Sequence, residues 1–99
     1  VKLKGFSRHR LREIEDDTID FCHIDGSHEA EDVIVDAVLC FWMLKVGGIT
    51  IFDDYLWVVN KEWPLYKTPA MGIDPFLSIY DRRVEVIHRG QLLVMRRIS

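Results

Sequence analysis

Two short apolar runs that each stop at acidic residues constrain this chain more than anything else in it. Ile19-Asp20-Phe21-Cys22-His23-Ile24 runs into Asp25, and Gly47-Gly48-Ile49-Thr50-Ile51-Phe52 runs into Asp53-Asp54-Tyr55. Runs of this length and composition read as buried strands. Two such strands joined by a helix form a right-handed parallel unit, so their carboxyl ends share one sheet edge and Asp25 is expected to approach Asp53 and Asp54. The expected fold class is α/β.

The segment between the runs fits that unit. From Glu29 to Lys45, the residues Ile34, Ala37, Val38, Phe41 and Leu44 recur at spacings of three and four, while Glu31, Asp32 and Asp36 sit elsewhere on the helical wheel. Ser27 or His28 can cap this helix, acids crowd its first turns, and Lys45 with Gly47 closes it. Ile49 to Phe52 suits a central strand buried on both faces. Around the unit the pattern predicts a short strand at 2–4, a short helix from Ser7 to Ile14 and a strand at 18–24. An aromatic loop follows at 56–70, where Trp57, Trp63 and Tyr66 serve either as packing or as a substrate platform. A helix from Asp74 to Arg82 would carry Pro75 in its first turn, with Phe76, Leu77 and Tyr80 inward. Val84–Ile87 and Leu92–Met95, joined around Arg89-Gly90, read as a closing hairpin.

Ninety-nine residues allow one domain at most, and an apolar content of 48% speaks for a packed unit. A net charge of −3 without a long run of one sign gives no footprint for nucleic acid. Lys2, Lys4, Arg8, Arg10 and Arg12 are followed at once by Glu13, Glu15, Asp16 and Asp17, so the basic cluster reads as a solvated helix face. Cys22 and Cys40 lack zinc or disulfide-framework spacing and read as small apolar fillers in a reducing, cytoplasmic compartment. No apolar stretch reaches the roughly 20 residues of a membrane span. The absence of an initial Met suggests a fragment or an excised segment.

Three carboxylates meeting at strand tips repel one another unless a cation or protons neutralise them. Magnesium, which prefers hard oxygen ligands, is the natural cation, and it would acidify a bound substrate hydroxyl. Asp25, Asp53 and Asp54 are therefore candidate metal ligands; the alternatives are a turn or cap role for Asp25 and a solvated strand exit for the pair. His28, three residues past Asp25, is either a general base or a cap. His23 lies inside its strand and reads as a hydrogen-bonded core histidine, whereas His9 and His88 read as exposed.

Ile24-Asp25-Gly26-Ser27-His28, the Leu44-Lys45-Val46-Gly47-Gly48 helix exit, Ile51-Phe52-Asp53-Asp54-Tyr55 and the closing helix plus hairpin resemble the C-terminal half of class I S-adenosylmethionine-dependent methyltransferases. Within that superfamily they look most like methyltransferase family 24 and the metal-dependent sugar O-methyltransferases. The resemblance covers the chain from Gly5 onward. It implies a partial Rossmann-like sheet, later strands only, ending in an antiparallel hairpin. Residues 1–99 would form the C-terminal half of a domain whose glycine-rich cofactor loop belongs to strands with no counterpart here. It also implies S-adenosylmethionine as cofactor, contacted by Ser7 and Asp25, with Mg2+ on Asp25, Asp53 and Asp54, and His28 as base toward a small hydroxylated substrate. Relatives usually show Gly-Asp-Ser near the adenine, where this chain has Gly5-Phe6-Ser7. The isolated chain is expected to be inactive. The alternative is a non-catalytic half domain that binds a partner or self-associates through its sheet edge, and neither a nucleic acid nor a membrane is expected as partner.

Overall fold

The computed structural model describes residues 2–3, 15–24, 29–56, 64 and 67–99. Its elements follow in the order β1 (Lys2–Leu3), β2 (Ile19–Ile24), α1 (Ala30–Met43), β3 (Leu44–Phe52), α2 (Pro69–Ile79), β4 (Val84–Arg89) and β5 (Leu93–Arg97). The strands form one sheet in the order β1-β2-β3-β5-β4. β1, β2 and β3 are parallel, and β5 is antiparallel to both β3 and β4. This is the expected α/β arrangement with its closing hairpin. The expected helix from Ser7 to Ile14 lies outside the described residues, as does most of the aromatic loop.

One face of the sheet carries the core. Cys22 and Ile24 from β2, Leu44 and Phe52 from β3, and Leu93 and Met95 from β5 pack under Val33, Ala37, Cys40 and Phe41 of α1 and Ile73, Phe76 and Leu77 of α2. Phe41, Phe76 and Tyr80 add an aromatic stack, with Tyr80 centred 4.7 Å from each of the other two rings. Alternation along the strands sends the other residues to the opposite face. There Ile49 and Ile51 are only half-buried and Phe21 is exposed, so β3 is not the strand covered on both faces that its composition suggests.

Three boundaries differ from expectation for identifiable reasons. α1 stops at Met43, and Leu44 is at once its extended C-cap and the first residue of β3. Gly47 therefore does not close the helix. It sits inside β3 with φ +94°, in an irregular stretch where Leu44 pairs Ile19 and Ile49 pairs Phe21. At the other end Glu29, not Ser27 or His28, occupies the N-cap and makes no side-chain cap bond.

α2 begins five residues early because Pro69, not Pro75, takes the first turn, where a missing N–H costs nothing. Pro75 is carried inside the helix. Asp32 and Asp36 are also buried on α1 rather than solvated, and neither is without a partner.

The lower rim, at the amino ends of the parallel strands, is tied by a buried arginine. Arg97 Nη1 donates to Asp17 Oδ1 at 2.6 Å, Leu44 O at 2.6 Å and Phe41 O at 3.2 Å. Its guanidinium also lies 4.5 Å from the centre of the Phe41 ring. α1 has no basic residue in its last turn, so this distant side chain supplies the cation its terminal carbonyls favour.

Candidate functional site at the strand tips

The upper rim is set by register. Ile24 and Phe52 are direct partners, and the pairing continues one residue further as Asp53 N donates to Ile24 O at 3.1 Å. β2 and β3 thus finish side by side at the point where their acidic residues begin in the sequence. Beyond Phe52 the chain turns sharply, with Asp54 in the left-handed region at φ 57°, a conformation that Asp tolerates better than most residues. Tyr55 N donates to Gln91 O at 2.9 Å, which pins this turn to the hairpin loop.

Among the proposed metal ligands, Asp53 and Asp54 are described, and both lie on this rim, half-buried. Asp25, His28 and Ser7 lie outside the described residues. Among the described residues, no three His, Cys, Asp or Glu side chains gather closely enough to hold a metal ion.

His23 is hydrogen-bonded inside its strand as expected, but it is half-buried rather than part of the core. It faces away from the core residues Cys22 and Ile24, and its Nε2 lies 2.5 Å from Asp53 Oδ2, with both side chains about one quarter exposed. Alternation carried the signal, since residues 21 and 23 share the β2 face opposite Cys22 and Ile24, and Asp53 lies on the side of β3 opposite the buried Phe52.

A second polar group joins three elements beside the turn. The Tyr55 hydroxyl donates to Asp74 Oδ1 of α2 at 2.5 Å and accepts from Arg89 Nη1 of β4 at 2.6 Å. Burial, together with the hydrogen bond to Asp74 and that carboxylate's charge, raises the Tyr55 phenol above its ordinary value, against a weaker downward pull from Arg89. Asp74 and Arg89 also border a cleft of about 520 Å³ between α2 and β4, walled further by Ser78, Asp81 and Val86. Reading the sequence missed this group, because its members lie 15 to 34 positions apart and only tertiary packing brings them together.

The two cysteines also meet, with Cys22 Sγ 2.8 Å from Cys40 Sγ and both side chains fully buried. That contact, reinforced by burial, pushes the Cys40 thiol far up. Both remain free thiols. No helix among the described residues is long and apolar enough to cross a membrane.

Known structures share this architecture. The O-methyltransferase NovP is 20% identical with a TM-score of 0.62, the match covering 84% of this chain and 31% of that one. An O-methyltransferase from Bacillus cereus, solved in complex with SAH, is 15% identical with a TM-score of 0.62, covering 94% of this chain and 46% of that one. The chain thus spans less than half the length of either structure. No curated protein matches it. A family model described as a methyltransferase domain matches residues 2–55, just over half of the chain. With that match and this sheet, the chain belongs to the methyltransferase domain family and shares its fold with these two O-methyltransferases.

Proposed function

We propose that these residues serve S-adenosylmethionine-dependent methyl transfer to a hydroxyl of a small molecule, within a domain of which they form the C-terminal half. The observation that carries this reading is the Ile24–Phe52 register, which ends two parallel strands together where Asp25 and Asp53-Asp54 follow in the sequence. The Bacillus cereus relative's complex with SAH supports the choice of methyl donor.

Asp53 and Asp54 offer hard oxygen donors on the rim, and Asp25, next after Ile24, is assigned as the third ligand. Mg2+ keeps several waters and is commonly held through only one or two carboxylates, so this donor set fits it. When bound, it would supply Lewis acidity that lowers the pKa of a substrate hydroxyl. His28 is assigned to take the hydroxyl proton, and Ser7 and Asp25 to contact the cofactor. S-adenosylmethionine would supply the methyl group, the hydroxyl oxygen bonding to its carbon as the carbon–sulfur bond breaks, with S-adenosylhomocysteine as the leaving group.

Titration of the chain with Mn2+, followed by electron paramagnetic resonance, tests the metal assignment. Substituting Asp53→Asn and Asp54→Asn together should abolish binding, and unchanged affinity would refute it. Calorimetry with S-adenosylmethionine tests the half-domain assignment, and low-micromolar affinity for these residues alone would contradict it.

A second reading, association of a non-catalytic half domain, is favoured by the exposed Phe21 and Ile87 and by the edge strand β4. A clean monomer at micromolar concentration on size-exclusion chromatography would argue against it.

A further inference from the structure

We infer that His23 is a positioning residue that aims the Asp53 carboxylate, an inference that rests on the metal assignment above. Asp53 is held twice by the same neighbouring strand. Its main chain is fixed by the bond from Asp53 N to Ile24 O, and its side chain by the contact between Oδ2 and His23 Nε2. A carboxylate accepts hydrogen bonds, so the ring nitrogen facing it carries the proton and donates. That hydrogen bond commits only Oδ2 and limits the rotamers through which Oδ1 can be presented.

His23 is itself well anchored for this task. It stands inside β2, opposite Ile51 in the parallel register, rather than on a loop. The residue after Asp53 turns away at once in the left-handed conformation. Hydrogen-bonded partners of ligating carboxylates orient them, and losing such a partner typically weakens metal affinity by about 10–100-fold.

The probe is Mn2+ alone, titrated into the chain and into two variants whose folding is checked by circular dichroism. His23→Leu keeps bulk without a donor and should weaken Mn2+ binding by about 10–100-fold. His23→Gln restores a donor at similar reach and should recover most of the affinity. In the unsubstituted chain, nitrogen-15 spectra of the His23 ring should show Nε2 protonated, a readout independent of any variant's folding. Wild-type affinity in His23→Leu, equal losses in folded Leu and Gln variants, or a ring protonated only at Nδ1 would each overturn the inference while leaving the metal assignment standing. Failure of the unsubstituted chain to bind Mn2+ would instead remove the metal assignment, and this inference with it.

Discussion

Replacing Arg97 by Leu should remove a large share of the stability of this domain. The side chain is 7% exposed, and its Nη1, with two hydrogens, serves three acceptors, two of which are main-chain carbonyls. Leu cannot donate, so Leu44 O and Phe41 O lose their charged donor, and an orphaned buried acceptor costs about 1–3 kcal/mol. Loss of the cation at the end of α1 adds roughly 0.3–1 kcal/mol. The Asp17 contact counts for little, since that carboxylate is 62% exposed and returns to water. Relief of guanidinium desolvation offsets part of the loss, leaving about 3 kcal/mol out of the roughly 5–15 kcal/mol typical of a domain. At about 4–8 °C per kcal/mol for a chain of this size, Tm should fall by roughly 12–24 °C. Urea denaturation followed by circular dichroism measures it, with the midpoint falling and the slope unchanged. Asp17→Asn, as the control, should cost under about 1 kcal/mol. A loss below about 1 kcal/mol for Arg97→Leu, or equal losses for the two variants, would refute the assignment of the energy to the carbonyls.

Gly72→Ala should destabilise by about 1–3 kcal/mol in the same assay, because a Cβ there would sit 2.4 Å from the Ala30 carbonyl oxygen, a main-chain atom that cannot swing aside. Thr50→Val should be neutral or stabilising by about 1 kcal/mol, since Thr50 Oγ1 is fully buried without a hydrogen-bond partner. Tyr55 gives a pH dependence. Its phenol is raised in the folded state, so the stability tied to the protonated form is present below the unfolded value near 10 and is lost as pH rises through the folded value. Urea melts from pH 9 to 11 should therefore show wild type losing stability more steeply than Tyr55→Phe, and parallel curves would contradict this. Cys22 and Cys40 should stay inert to a thiol reagent in the folded protein and react only after urea is added, given their burial and the raised Cys40 thiol.

The residues that announced themselves in the sequence were those whose local pattern and tertiary fate agree. Ile19 to Ile24 and the hairpin around Gly90 formed much as their β-branched runs suggest, and the helix following Glu29 buries Ala37 and Phe41 as its spacing requires. Where two local rules compete, the sequence could not choose. Pro69 and Pro75 are both acceptable first-turn prolines, and only packing of α2 against α1 selects the earlier one. Gly47-Gly48 reads as a helix stop, yet pairing of Leu44 with Ile19 draws the strand back to the end of the helix. At the rim, period-2 alternation was enough to put His23 on the side of Asp53, but its apolar neighbours made it look like a core residue. The link from Tyr55 to Asp74 and Arg89 left no local trace at all.

Four residues, Lys45 to Gly48, stand between the Leu44 and Ile49 pairings, where β2 has Asp20 alone. The surplus folds back on itself, with Gly48 tight against Lys45 O and Asp20 O, while open space surrounds the position of a Cβ on Gly47. This excess length separates the helix from the far end of β3 like slack in a cable. An extra residue spliced in beside Gly47 would be absorbed before Ile49, leaving Asp53 in place. The same insertion beside Asp54 would meet anchors on both sides, at Ile24 and at Gln91, and would pull the acidic turn off its histidine.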